Sequence, residues 1–460
     1  MNTYRIAIAA SIRLLAAVIT LATMTSCNSP GRGPLCCIPV ALQGTLSGLV
    51  GSGLVLLTDP QSLGLGFAGT SANGTQVTFG LATVNSAYNL TIGRQPTNPA
   101  QTCVITNGSG TAGTTDITNI TVTCTTNPPR FAYVVNRGSN NISAYALDPA
   151  TGTLAAIAGS PFAAGKLPVG IAVDQTGHFA YVVNQMDATL SAYIIDRDSG
   201  ALTEVSGSPF ATGLSPTSVA IDPSSSFVYA ANGGADSLSA YTITASGSLT
   251  AITGSPYAAG NSPSCVAVDT VGNNVYVTNK ADGTVSIFAI QQLAGNLSVT
   301  FGSPFAVGQG PQAVVTDPSS NFVYVLDGAS NFLLSFAGIG LGTPFENGDS
   351  PYPTGITPYS IAVDTADHFV YVANQGSNNI SGFNLRNGGV LAPLATSPFA
   401  AGTEPSSVAV DPTGKFAYVV NTGSDSVSVY AIDAASGALS PIGGSPFATG
   451  PQPVAIAISD

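Results

Sequence analysis

From Phe131 to the end of the chain, apolar and polar positions alternate in short runs, as in Phe131-Ala-Tyr-Val-Val-Asn and Asn141-Ile-Ser-Ala-Tyr-Ala-Leu, with Gly, Asn, Ser and Pro between them. Period-two alternation buries one face of a strand, and the residues between the runs are those that tight turns need. Residues 40 to 126 carry a looser version of the pattern in Gly44-Thr-Leu-Ser-Gly-Leu, Gln76-Val-Thr-Phe-Gly-Leu and Asn119-Ile-Thr-Val-Thr-Cys124. These stretches predict a small β-sandwich. Only 7% of residues are charged, while 52 glycines and 31 prolines are spread evenly, which fits turn-rich β structure better than helix or disorder.

The second region repeats itself, and a fixed period decides the architecture before any other signal. A Tyr-Val-x-Asn-like tetrapeptide begins at Tyr133, Tyr181, Tyr229, Tyr276, Tyr324, Tyr371 and Tyr418, at spacings of 47 or 48 residues. An aromatic follows each tyrosine by 12 residues: Tyr145, Tyr193, Tyr241, Phe288, Phe336, Phe383 and Tyr430. A second signature, Ser-Pro-(Phe/Tyr)-x-x-Gly-x-x-Pro, starts at Ser160, Ser208, Ser255, Ser303, Ser350, Ser397 and Ser445. Thr343-Pro344-Phe345 imitates it but is out of register by seven residues, so Ser350 marks the fifth copy. Each unit supplies four alternating runs, and seven such units are the arithmetic of a seven-bladed β-propeller. The first unit opens on its second strand at Phe131, and the chain ends on a surplus inner strand, Pro453-Val-Ala-Ile-Ala-Ile-Ser. The predicted fold is all-β: a sandwich at 40–126, a stiff linker at 127–130, and a propeller at 131–460 whose C-terminal strand closes blade one and leaves no open sheet edge.

The repeats resemble the Tyr-Val-Thr-Asn (YVTN) family of bacterial and archaeal propellers, and Tyr276-Val277-Thr278-Asn279 is an unmodified copy. That family groups with the lactonase-type propellers related to 6-phosphogluconolactonase, and the resemblance covers residues 131 to 460. It implies a pocket on the top face of the ring with basic and acidic side chains, a His, Arg and Glu set in the active relatives. This chain has three glutamates, Glu204, Glu346 and Glu404, and no His-Arg-Glu set matches it. The sandwich resembles, by pattern, the immunoglobulin-like modules of bacterial surface proteins. One fold hosts many functions, so activity must be argued from the site.

Propeller ligands meet the loops between blades and those joining second to third strands. By register the first kind supplies Lys166, Asn261, Gln309, Glu404 and Gln452, and the second Arg137, Gln185, Lys280, Asp327 and Gln375. Arg137, Lys166 and Lys280 suit an anionic or hydroxyl-rich ligand, with Gln185 and Gln375 as polar partners and Glu404 or Asp327 as the acid or base. The aspartates that end the inner strands, Asp174, Asp222, Asp269, Asp317, Asp364 and Asp411, read as turn caps. The repeated Asn136 and Ser143 type of pair reads as structural too. His178 and His368 fall in hairpins where other units place Ser226, Asn273, Asn321 and Lys415, positions that suit solvent rather than catalysis. No Gly-x-Ser-x-Gly elbow, His-Glu-x-x-His or phosphate loop occurs, and the sequence calls for no cofactor and no metal. Cys265 takes a first-strand position filled elsewhere by Gly170, Ser218 or Ala313, and reads as a small buried residue. Blade five departs most, with Asp327 for the asparagine and Leu334 for the serine.

At the N-terminus, Arg5 and Arg13 precede an apolar run from Leu14 to Ala22 and then small residues, the pattern of a secretory signal at 1–26. The run is well short of the roughly 20 residues that span a bilayer. Met24-Thr25-Ser26-Cys27 resembles a bacterial lipobox, which makes Cys27 the expected lipidation site, followed by a tether at 27–39. Cys103 and Cys124, 21 residues apart in strand-like segments, are the expected disulfide of an oxidising compartment. Eleven basic against 23 acidic residues, a net charge of -12, argue against a nucleic-acid partner. The expectation is an exported, lipid-anchored cell-envelope module that binds or scaffolds an envelope protein or glycan and touches the membrane through its anchor only. The alternatives are a lactonase-like hydrolase opening a cyclic ester of a sugar acid, and a structural surface-layer component.

Overall fold

The computed structural model describes residues 39–459 apart from 51, 60–62, 69–75, 97–100, 128–129, 292–293, 319–320, 339–343 and 365–367. The expected leader, Cys27, the tether up to residue 38 with Cys36 and Cys37, and the two linker prolines lie outside the described residues. The chain divides into two compact units at Thr125/Thr126.

The first unit has eight strands: β1 (Pro39–Ser47), β2 (Ser52–Asp59), β3 (Leu63–Ala68), β4 (Gln76–Thr83), β5 (Ala87–Arg94), β6 (Gln101–Thr106), β7 (Ser109–Thr111) and β8 (Ile117–Thr126). They form two four-stranded sheets, in the orders β4-β1-β8-β6 and β3-β2-β5-β7, with β1 parallel to β8. Alternate side chains, among them Leu42, Leu46, Leu54, Leu56, Phe79, Ile120 and Val122, make the core. Cys103 on β6 and Cys124 on the neighbouring β8 are joined by a disulfide, S–S 2.00 Å.

The second unit is a ring of seven antiparallel sheets. Blade two shows the pattern: inner strand Pro168–Val173, second strand Phe179–Asn184, third strand Thr189–Ile195 and outer strand Leu202–Glu204. The outer strand is only three residues long. After three residues the chain turns away, and Phe210–Ala211 rejoins the same third strand at Leu190. The cause is the serine of the Ser-Pro-Phe signature, which inserts its hydroxyl into the ladder. Ser208 Oγ accepts the Ala192 N–H at 3.0 Å, and the equivalent serine does so in all seven blades at 2.8 to 3.2 Å. The ring closes as the register requires: Pro453–Ser459 pairs with Phe131–Asn136, from Pro453 opposite Asn136 to Ser459 opposite Phe131.

The propeller core lies between blades, each apolar cluster drawing on two neighbours. The repeated tyrosine fixes that contact in most blades, because a buried hydroxyl ordinarily finds a partner, although that of Tyr229 finds none among the described residues. Tyr181 donates to the carbonyl of Gly247 in the next blade at 2.9 Å, Tyr371 to Gly437 at 2.8 Å, and Tyr418 of blade seven to Gly152 of blade one at 3.3 Å. Burial pushes these phenols far above their ordinary titration range. The asparagine joins strands to loops: Asn184 Nδ2 donates to Ser191 Oγ at 2.9 Å while its Oδ1 accepts the Gly165 N–H at 3.1 Å. The strand-ending aspartates cap their turns, Asp174 taking the N–H groups of His178 and Phe179 at 2.7 Å each.

Blade five's departure is a coupled substitution. Asp327 accepts the Gln309 and Gly310 N–H groups at 2.9 and 3.1 Å, so it keeps the acceptor half of the asparagine's work. A carboxylate has no amide to donate, and Leu334, in the register of the serine, needs none.

Candidate functional site

Around the ring axis, where the inner strands begin, a cavity of about 420 Å³ takes its walls from all seven blades. Each inner strand starts with a proline, and in every blade the pairing register shifts just after it. The residue at that bulge is released from the ladder, and bulges re-aim side chains. Val169, Thr217, Ser264, Gln312, Tyr359, Ser406 and Val454 occupy this position and all line the cavity. The next residues, among them Ser218, Ser360 and Ser407, add further hydroxyls. Arg137, Gln185 and Lys280 reach in from the loops between second and third strands.

The mouth is held in a demanding backbone conformation. Leu167, Ser215, Ser262, Thr357, Glu404 and Gln452, one per inter-blade loop, have φ between 48° and 55°, where a non-glycine residue is strained. The N–H groups of Leu167, Ser262, Thr357, Glu404 and Gln452 donate at 2.7 or 2.8 Å to an Asn or Asp side chain of the preceding blade. These bonds replace water at otherwise orphaned donors and fix the loops.

Among the described residues, the lining contains two cations and no Asp, Glu or His. Lys280 Nζ donates to Gln312 Oε1 at 2.7 Å, a contact that directs the ammonium without neutralising it. Arg137 makes no ion pair among the described residues. Its charge favours ionisation of Tyr359, yet burial outweighs it and pushes the phenol above its ordinary value. The half-buried Cys265 lines the cavity as its small counterparts do, while packing against two of the inter-blade clusters, and burial raises its thiol.

Of the residues picked out by register, the structure places Arg137, Gln185 and Lys280 in the lining of one cavity. Lys166 is exposed outside the lining, its N–H on Asp187 at 2.7 Å, and Gln375 also lies outside it. Glu404 is exposed and absent from the lining. Asp327 is 2% exposed. Burial alone would raise its carboxyl, but the N–H groups of Gln309, Ser330 and Ala329 together hold it below the ordinary value. Its oxygens thus serve the loop, away from the cavity. His178 and His368 are exposed at the opposite ends of the inner strands. Gln312 and Tyr359 escaped sequence reasoning because a bulge has no composition signal; the residue after each inner-strand proline, compared across the seven copies, would have singled out Tyr359 as the lone aromatic.

Chemically, such a cavity can hold a carboxylate or polarise a carbonyl, and its hydroxyls suit a polyol. It offers no carboxylate or imidazole as a general base.

A family model described as "Lactonase, 7-bladed beta-propeller" matches residues 98–213, 205–316 and 304–458. The chain belongs to this family of seven-bladed β-propeller lactonase proteins. Among solved structures it is similar to the periplasmic gluconolactonase PpgL of Pseudomonas aeruginosa, at 19% identity and TM-score 0.61, covering 72% of this chain and 99% of that one. It is also similar to a Bacteroides uniformis protein described as a candidate 6-phosphogluconolactonase, at 20% identity and TM-score 0.63, covering 72% of this chain and all of that one. A protein from Lactobacillus plantarum shares 23% identity at TM-score 0.62, over 72% of this chain and 99% of its own. At these identities the likeness shows the fold. No curated protein matches the sequence.

Proposed function

We propose that the protein opens the ring of a sugar-acid lactone in the central cavity. The observation that carries this reading is that Arg137 and Lys280 both line one hydroxyl-lined cavity of a lactonase-family propeller, with no acid among the described lining residues. Water adds to the lactone carbonyl carbon, and the charge that develops on the carbonyl oxygen faces the two cations. Collapse of the adduct breaks the acyl–oxygen bond, the ring oxygen takes a proton, and the hydroxy acid leaves as a carboxylate with release of one proton. Water is both nucleophile and proton source, so the cavity acts through charge and position.

The test is ring opening of gluconolactone and a panel of sugar and acyl lactones in a pH-stat. Turnover well above background, reduced roughly 100-fold in kcat/KM by Arg137→Ala with Lys280→Ala, is the expected result. Absence of turnover across the panel sinks the hydrolase reading. A second reading, a receptor that holds a hydroxylated acid or glycan without converting it, is favoured by the absence of a general base in the lining. Calorimetry with gluconolactone in buffers of different ionisation enthalpy separates the two, because turnover releases one proton per lactone opened whereas a receptor binds the lactone without proton release. We further propose that either activity operates outside the cytoplasm, from a lipid anchor at Cys27. The Cys103–Cys124 disulfide supports an oxidising compartment.

A further inference from the structure

We propose that Tyr359 is the platform that makes the cavity selective for a closed ring over an open chain, an inference that rests on the lactone reading and narrows its substrate. Seven residues stand at the channel-facing bulge, and six are Val, Thr, Ser or Gln. Tyr359 alone has a flat apolar face. The fold does not account for it: the repeat tyrosines Tyr133, Tyr181, Tyr229, Tyr324, Tyr371 and Tyr418 are wholly buried between blades, whereas Tyr359 is 38% exposed in the cavity. Its hydroxyl has no hydrogen-bond partner among the described residues, although a phenol in such a place ordinarily finds one. Arg137 of blade one lines the same cavity, and its charge opposes the rise that burial gives this phenol.

This combination fits a cyclic sugar acid derivative. The C–H groups on one face of a pyranose-sized ring lie against the phenol ring, the phenol O–H bonds a ring substituent, and Arg137 faces the carbonyl. An open-chain sugar acid presents no such face and loses little when the platform is removed. Small-molecule sites commonly pair one apolar anchor with a few convergent polar groups, which is the arrangement here.

The experiment compares the wild-type protein with Tyr359→Ala and Tyr359→Phe, using gluconolactone turnover and gluconate calorimetry. Tyr359→Ala is expected to raise KM for the lactone roughly tenfold with kcat unchanged, because a stacked ring contributes equally to ground and transition states. The Kd for open-chain gluconate should change by less than about threefold. Tyr359→Phe keeps the ring and should stay within about threefold of wild type on both ligands. An unchanged KM in Tyr359→Ala, or equal losses for lactone and gluconate, overturns the platform alone while leaving the hydrolase reading standing. Wild-type protein that neither opens nor binds these probes brings down the lactone reading and the platform with it. Unchanged thermal unfolding of both variants, expected at so exposed a side chain, excludes a folding defect.

Discussion

The surfaces where blades meet and the cavity where they converge are built from the same repeat, yet they obey opposite rules. Between blades, the tyrosine and the Ser-Pro serine recur in every copy. The serine bond is made in all seven blades. Tyr133, Tyr181, Tyr324, Tyr371 and Tyr418 each donate to a glycine carbonyl of the next blade, whereas the Tyr229 hydroxyl is buried without a partner among the described residues. At the bulge facing the cavity the seven copies hold Val169, Thr217, Ser264, Gln312, Tyr359, Ser406 and Val454. A ring with sevenfold symmetry presents a symmetric cavity, whereas a small asymmetric ligand needs different groups on different sides. Variation is concentrated at this bulge, although Thr217, Ser264 and Ser406 each donate to a carbonyl of the next blade.

The comparison breaks most visibly at a repeat tyrosine. Tyr371→Ala removes a fully buried ring and the bond to Gly437, and should cost about 3–5 kcal/mol in urea unfolding. A cost below about 1 kcal/mol would show that the blades do not depend on this contact. The cavity should behave in the reverse way. Arg137→Ala with Lys280→Ala should shift stability by no more than about 0.5 kcal/mol, since neither side chain holds the fold, while the activity loss stands at roughly 100-fold. A large stability loss in that variant would reassign both cations to structure.

Blade five sharpens the comparison on a smaller scale. Asp327→Asn places an amide donor where Leu334 offers no acceptor, and should cost about 1–2 kcal/mol; adding Leu334→Ser should recover most of it. If the double variant is no better than the single one, the two substitutions are not coupled. The smallest effect is its pH dependence. Because Asp327 titrates below its ordinary value when folded, its contribution is present above the unfolded pKa and is lost as pH falls through the folded one. The stability gap between wild type and Asp327→Asn should therefore narrow below about pH 4, and a gap that stays constant through acid unfolding would remove the carboxylate from the account.

Much of this architecture was readable from residues alone. Seven tyrosines at constant spacing, the surplus strand at Pro453 and the true fifth copy at Ser350 set blade number, closure and register, because strand pattern and turn chemistry are local. The caps at Asp174 and its equivalents were readable for the same reason. The alternation does not show that Ser208 inserts into the ladder and ends the outer strand. Of the loop residues, Arg137, Gln185 and Lys280 meet in the cavity while Lys166, Gln375, Glu404 and Asp327 do not. Register places all of them near the mouth but cannot give the direction in which each side chain leaves its loop.

The sequence by itself thus determined a closed seven-bladed ring carried after a β-sandwich, through interactions that each involve one blade or one turn. Only the tertiary structure decided which side chains share the cavity. Residues as far apart as Arg137, Lys280 and Tyr359 come together solely because the ring closes, and Gln312 and Tyr359 face the axis solely because a bulge follows each inner-strand proline. The repeat period marks which strands pair, but the direction in which a side chain leaves a bulge or a loop leaves no periodic mark on the chain.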